Sequence, residues 1–329
     1  MKKKVLMSVC CLIFALTLLP VAASAEKELK LASWGPTQHF VAEARAEWIK
    51  EVNEKLAGRY KIVDYPGGQL FGPRDMHTAV ARGSVDIGVV LQPAMLAMVP
   101  IVQGVYLPFA FDNLDETAKA YSGESLEIIE RAIEEKRMKL LYTSYTDGVQ
   151  MYSSKGNIQT MEDFKGLRIL SQSPIFSEIM AKLGAAPDTS VPQTEQYMAL
   201  QRGVSDAIAN SVVGGYFQKN HEVAPYVTIM DMSFSTILVV MNLNTWNTLP
   251  ADVQEALVSI GQEKGIKTLH MAKGWQANFV NRLKEEGATV TEMSAEELAR
   301  IRVVAREVWE KWAKSNGPDA QRLLEISLQ

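Results

Sequence analysis

Residues Pro250 to Gly287 constrain the fold more than any other stretch. Val253, Leu257, Ile260, Leu269, Ala272, Phe279 and Leu283 recur there at approximate helical spacing. At ~1.5 Å per residue such a helix is on the order of 50 Å long. A lobe of ~150 residues has a radius of gyration of only ~15 Å. The helix is therefore predicted to run across two lobes. Gly261 and Gly265 interrupt it, each expected to weaken it by about 1 kcal/mol relative to alanine. Ser294 to Lys314 reads as a last amphipathic helix, opened by Ser294-Ala295-Glu296-Glu297 as a capping box.

Upstream, strand and helix alternate as in α/β proteins. Leu29–Trp34, Tyr60–Tyr65 and Val85–Leu91 read as strands, and Thr37–Leu56 and Pro73–Arg82 as helices. A second unit repeats this grammar, with a short helix at Met161–Phe164, strands at Leu167–Leu170 and Val204–Ala209, and helices at Pro174–Leu183 and Thr194–Arg202. Ala79-Val80-Ala81-Arg82-Gly83-Ser84-Val85-Asp86-Ile87 is echoed by Ala199-Leu200-Gln201-Arg202-Gly203-Val204-Ser205-Asp206-Ala207. Each copy is a helix end, a glycine suited to the left-handed conformation, and a strand with Asp at its start. The echo suggests two lobes of similar build; a common turn met twice by chance would look the same. No flexible linker separates the halves. A pair of crossing strands near Thr143–Tyr152 and Ile237–Leu243 is expected to join them.

Lys2, Lys3 and Lys4 precede an apolar run, Val5 to Leu19, too short to span a bilayer, and Ala23-Ser24-Ala25 supplies the small residues of a cleavage site. Residues 1–25 are read as a signal peptide cleaved after Ala25, so the mature protein is expected in the periplasm. Cys10 and Cys11, the only cysteines, leave with that segment. The mature chain then has no disulfide and no thiolate, and its stability must come from core size. Losing three lysines moves the formal net charge from −4 to −7. An acidic surface without a basic block argues against nucleic acid and anionic membrane as partners.

Enzyme chemistry leaves no local trace. His39, His77, His221 and His270 are scattered, without metal-ligand spacing, and are expected on surfaces or loops. No G-x-S-x-G, S-x-x-K, Walker or G-x-G-x-x-G motif is present. No catalytic residue, cofactor or metal is predicted.

The run Glu195-Gln196-Tyr197-Met198-Ala199-Leu200-Gln201-Arg202-Gly203-Val204-Ser205-Asp206-Ala207, followed by Asn210, resembles the E-x-Y-x-A-L-x-x-G-x-x-D-G signature of DctP-type substrate-binding proteins of tripartite ATP-independent periplasmic (TRAP) transporters. Gly67-Gly68-Gln69-Leu70, Leu107-Pro108-Phe109, Asp163-Phe164-Lys165-Gly166-Leu167 and Asn244-Thr245-Trp246-Asn247-Thr248-Leu249-Pro250 are similar to that family too. The resemblance covers nearly the whole mature chain. It implies an α/β, two-lobed periplasmic binding protein fold with crossing inter-lobe strands and a long helix spanning both lobes. Lobe I is placed at 26–149 and 238–278, lobe II at 150–237 and 279–329. A non-catalytic, monomeric receptor is implied, which closes on a small solute and delivers it to a small and a large membrane subunit.

Two departures bear on the ligand. Where the family carries an arginine for a carboxylate, this chain has Leu170, and a second family arginine is replaced by Gln150. The resemblance places Trp34, Gln92, Asp147, Gln150, Leu170, Ser173, Asn210, Asp231 and Phe234 around the cleft. That set suits an amine, amino alcohol or polyol better than a dicarboxylate. The alternative is a carboxylate held by Arg168, two residues before Leu170, or a receptor serving an ATP-driven importer. From another class, a secreted hydrolase or isomerase on two lobes would differ by showing turnover.

Overall fold

The computed structural model describes residues 26–171 and 173–328, so the predicted signal peptide lies outside the described residues. Ten strands form one connected sheet among the described residues: β1 (Lys27–Ala32), β2 (Tyr60–Tyr65), β3 (Ile87–Leu91), β4 (Met138–Ser153), β5 (Arg168–Leu170), β6 (Ala186–Asp188), β7 (Ala207–Ser211), β8 (Tyr226–Ile229), β9 (Phe234–Asn242) and β10 (Thr289–Glu292). Their order is β2-β1-β3-β9-β4-β7-β5-β6, with β8 on β4 and β10 on β8. Strands β1, β2 and β3 pair in parallel and make lobe I; β5, β6 and β7 do the same in lobe II. The antiparallel pairs are those involving β4 and β9, the crossing strands.

The 16-residue β4 gives its first half to β9 and its second half to β7 and β8. Between Tyr145 and Gly148 its register against β9 shifts, which marks a bulge at Thr146-Asp147. A bulge leaves backbone donors unpaired, and the long helix supplies the acceptors. That helix is Ala251–Glu285, 35 residues, lying over both lobes as its length requires. The Tyr145 N–H donates to Thr268 Oγ1 at 2.8 Å, and the Gly148 N–H donates to Gln276 Oε1 at 3.0 Å.

Gly261 and Gly265 are where helix and strand touch. A Cβ at 261 would stand 2.3 Å from the Tyr142 ring, and one at 265 would stand 2.3 Å from the Thr143 carbonyl oxygen. The glycines read as local weaknesses are thus the notch that seats the helix on β4. Trp48, from the helix Phe40–Lys55, completes the seat; its ring lies 5.1 Å from Tyr142 and its Nε1–H donates to Leu257 O at 3.1 Å.

The repeated turn is the same object twice. Gly83 and Gly203 have φ of 75° and 66°. The Ser84 and Val204 N–H groups donate to Ala79 O and Ala199 O, both at 2.9 Å. The following acids also match: Lys30 N–H donates to Asp86 Oδ2, as Arg168 N–H does to Asp206 Oδ2.

Element boundaries differ from expectation at polar or proline-bearing ends. Strand β1 stops at Ala32, so Trp34 stands in the loop, and the first helix opens at Phe40 because His39 caps it. The capping box at Ser294 is half made: Ser294 Oγ accepts from Glu297 N–H, while the Glu297 carboxylate takes the Met161 N–H and Arg300 instead. His77 and His221 are buried rather than on the surface. The last helix, Pro318–Ser327, packs on Pro100–Val105, with Ser327 Oγ donating to Gly104 O.

Helix propensity alone makes Gly265→Ala stabilising by about 1 kcal/mol. Because the new methyl meets a backbone oxygen that has nowhere to go, we expect the reverse, a loss of about 1–3 kcal/mol. Urea denaturation showing a variant as stable as the parent would remove the notch from this account.

Candidate ligand cleft

The lobes enclose a cavity of about 110 Å3, room for several waters or a small organic molecule. Lobe I contributes Trp34, His39, Arg45 and Leu91; the crossing strands contribute Thr146, Val149, Ser235 and Ile237; lobe II contributes Asn210 and Gln218. Apolar faces dominate, with the Arg45 guanidinium and the Trp34 indole N–H among the polar groups between them. Trp34 Nε1 is buried without a partner, while the Ser235 hydroxyl lies beside the Tyr106 hydroxyl and bonds with it. Buried polar groups are normally paired, so the indole N–H is the exception in this wall.

Arg45 is the cation of this wall, and sequence reading missed it. Its residue is only 7% exposed, because it lies on the helix face that carries Val41, Ala44, Trp48 and Val52. A charge on a core-facing stripe was the available signal. Its Nε and Nη2 both donate to Asp64 Oδ2, at 3.4 and 3.3 Å, while Asp64 Oδ1 accepts from Ser33 Oγ at 2.8 Å. Charge-assisted arginine pairs ordinarily close to about 2.7–2.9 Å and use two oxygens. The pair is loose, and Asp64 uses only one oxygen on the guanidinium.

His39 Nδ1 accepts the Val41 N–H at 3.2 Å, so the ring proton sits on Nε2. Burial holds its pKa down at about 4, which keeps the ring neutral. It stacks on Phe40 and lies 6.4 Å from both Trp275 and Phe217. Phe217 belongs to lobe II, so this aromatic cluster spans the lobes.

Of the residues expected around the cleft, Trp34 and Asn210 line this cavity. The Asn210 amide is committed at its ends: Nδ2 donates to Gln218 Oε1 and Asn220 Oδ1, and Oδ1 accepts from Ser211 N–H. Asp147, Asp231 and Phe234 line a separate cavity of about 530 Å3 beside the second half of the long helix. Gln150 is fully buried there as a brace, with Nε2 on Asp231 Oδ1 and Oε1 accepting from the Met230 and Asp231 N–H groups. Gln92 spans Val102 O and Thr236, Ser173 Oγ caps the helix Pro174–Lys182, and Leu170 is 1% exposed in the core.

Arg168 is taken up by its own lobe. Its Nε and Nη2 hold Asp206 Oδ2 and Oδ1 at 2.9 and 2.8 Å, and that grip holds the Asp206 carboxyl down at about 2. It lines neither cavity.

Leu91 also borders a second inter-lobe cavity of about 320 Å3, between Pro73, Arg74 and His77 of lobe I and Ser171 and Gln196 of lobe II. Among the described residues no three His, Cys, Asp or Glu side chains gather as a metal site, and no helix is long and apolar enough to cross a membrane.

A cleft between two similar lobes, bridged by crossing strands and lined by apolar faces and unmet donors, is the build of a solute receptor. The sequence profile of family 7 of the bacterial extracellular solute-binding proteins, DctP, matches residues 31–316. The chain belongs to this family, whose members are receptors of TRAP transporters. It is 29% identical to a solute-binding protein of Sulfitobacter sp. strain NAS-14.1 over 255 residues, 76% of each chain. It is 27% identical to the C4-dicarboxylate-binding periplasmic protein DctP of Rhodobacter capsulatus over 278 residues, 82% of each. Among solved structures, a TRAP periplasmic solute-binding protein of Roseobacter denitrificans with bound β-D-glucuronate superposes with a TM-score of 0.85 at 22% identity, covering 92% of this chain and 99% of that one.

Asp147 gives the cleft region a pH dependence. Its residue is 1% exposed, Oδ2 accepts the Val213 N–H at 2.9 Å, and burial pushes its pKa up to about 7. A carboxyl whose folded pKa is raised costs nothing below its unfolded value near 4. Its cost grows as pH rises from there to about 7 and is constant above. Asp147→Asn keeps an acceptor for Val213 and removes the titration. The variant is expected to melt higher than the parent at pH 8, with the gap closing toward pH 4.5. Parallel melting curves across that range would count against a raised pKa.

Proposed function

We propose that this chain is a periplasmic TRAP receptor for a small organic acid, whose carboxylate is bound by Arg45 and whose body rests on the apolar walls of the inter-lobe cavity. The observation that carries the reading is the buried, loosely paired Arg45 guanidinium. A carboxylate in a shut cleft needs a cation or several donors. Arg45, the Trp34 indole N–H and the His39 Nε2–H supply both. An amine would depend on Asp147 and Asp231. These border the other cavity, and Asp231 Oδ1 already accepts from Gln150 and Gln276. The absence of arginine at 150 and 170 therefore reads as a relocated cation rather than a reversed charge preference. The relatives' ligands, a C4-dicarboxylate and a uronate, support an acid.

Closure follows from the same contacts. Arg45 and Trp34 sit on lobe I, Asn210 and Gln218 on lobe II, so a ligand touching both stabilises the shut state alone. The closed receptor would then dock on the small and large membrane subunits. Titration calorimetry with succinate, D-glucuronate and a set of small amines tests the reading. An acid should bind, and Arg45→Met should weaken it roughly 10- to 150-fold, as expected for a hydrogen bond to a charged group. Arg45→Met with Asp64→Asn controls for the orphaned carboxylate. Tight binding of an amine, or an acid bound by both variants as tightly as by the parent, would overturn it.

A further inference from the structure

We propose that His77 and Gln196 form a clamp, one residue from each lobe, that reads a hydroxyl group at the far end of the bound acid and so selects hydroxylated over plain carboxylates. This rests on the carboxylate reading above and adds the second end of the ligand.

The two residues face the cavity that adjoins the first across Leu91. His77 comes from the helix Met76–Ala81 of lobe I and is 7% exposed; Gln196 opens the helix Gln196–Gln201 of lobe II and is 5% exposed. His77 Nδ1 and Gln196 Oε1 have no hydrogen-bond partner. One orphaned buried group is an ordinary cost of packing. Two, from opposite lobes and lining one cavity, are the complement of a missing polar group.

The chemistry of that group follows from the atoms. An amide oxygen only accepts, so the ligand must donate to Gln196. A second carboxylate would be drawn to Arg74 but has no proton to give, so it would leave the Gln196 oxygen unmet. An ammonium would donate, but the Arg74 guanidinium borders the same cavity and opposes it. In the Nδ1–H tautomer of His77, which the proposal requires, a hydroxyl donates to Gln196 Oε1 and accepts from His77 Nδ1–H, meeting both orphans with one neutral group. Pro73, Pro93, Ala97 and Val191 line the rest of the wall and suit the carbon chain beside it.

The probes are hexanoate and 6-hydroxyhexanoate, which differ only in the distal hydroxyl, measured by calorimetry on the mature protein. The parent is expected to favour the hydroxy acid by about two- to tenfold, the range of one net hydrogen bond. In His77→Phe with Gln196→Leu that preference should vanish while hexanoate affinity stays the same. Equal affinities in the parent, or a preference that survives in the double variant, overturn the clamp. If the double variant does not fold, Gln196→Met alone carries the test. If neither acid binds, the carboxylate reading has failed by itself, and the clamp is measured on 1,6-hexanediol against 1-hexanol. There a preference lost in the variant upholds it, and no preference in the parent overturns it.

Discussion

The seating of the Ala251–Glu285 helix on strand β4 is the contact on which the rest of the molecule depends. Two lobes joined only by crossing strands would flex at the bulge, since Thr146-Asp147 breaks the β4–β9 ladder. The helix closes that gap at two points, Thr268 and Gln276, eight residues apart and so about 12 Å along its axis. Close approach is needed for both bonds, and Gly261 and Gly265 allow it. The penalty that glycine brings to a helix is offset by the hydrogen bonds and ring packing its absent side chain permits. The bulge is thereby held in one geometry, and the cavity wall that begins at Thr146 is held with it.

The two lobes solve one problem in one way and then diverge. Each ends a helix on a left-handed glycine and starts a strand with an Asp that caps the neighbouring strand's N–H. In lobe I the carboxylate is completed by the Thr245 hydroxyl; in lobe II it is completed by the Arg168 guanidinium, with Lys155 at 3.6 Å. The repeat therefore explains Arg168 without reference to a ligand. A guanidinium held by two bonds to a buried carboxylate would have to break both to reach elsewhere, leaving Asp206 unpaired, which is costly.

Periodicity and punctuation made the architecture readable: the long helix and the echoed turn follow from spacing and glycine placement, and the crossing strands from the lack of a flexible linker between the halves. The cleft was less readable, for a physical reason. The family resemblance put Asp147, Gln150 and Asp231 at the cleft, but each is engaged within the protein: Gln150 accepts the Met230 and Asp231 N–H groups of a turn where Asp231 has φ 38°, Asp147 accepts the Val213 N–H, and Asp231 accepts the Gln150 and Gln276 amides. Arg45 and His77 lie within helical patterns where a polar residue is read as solvent-facing by default. The packing of their helices shows that both face inward. For Arg45 the helical phase carried the same signal, since it sits three residues before Trp48 on the stripe the core uses.

The Arg45–Asp64 pair also explains how an apolar cleft can hold a charge without collapsing when empty. A lone buried guanidinium would be driven into solvent or would hold the lobes apart, because its desolvation is uncompensated. Asp64, partly buried behind the guanidinium and fixed by Ser33, supplies enough compensation to keep the cation in place. At 3.3 to 3.4 Å on a single oxygen, it does not saturate it. A tighter two-oxygen pair would have left the guanidinium little to offer a solute, and no pair would have made the unliganded wall unstable. The loose geometry lies between those limits, and that intermediate strength is what the proposed acid reading requires of one buried cation: stability in the empty receptor and room for an anion.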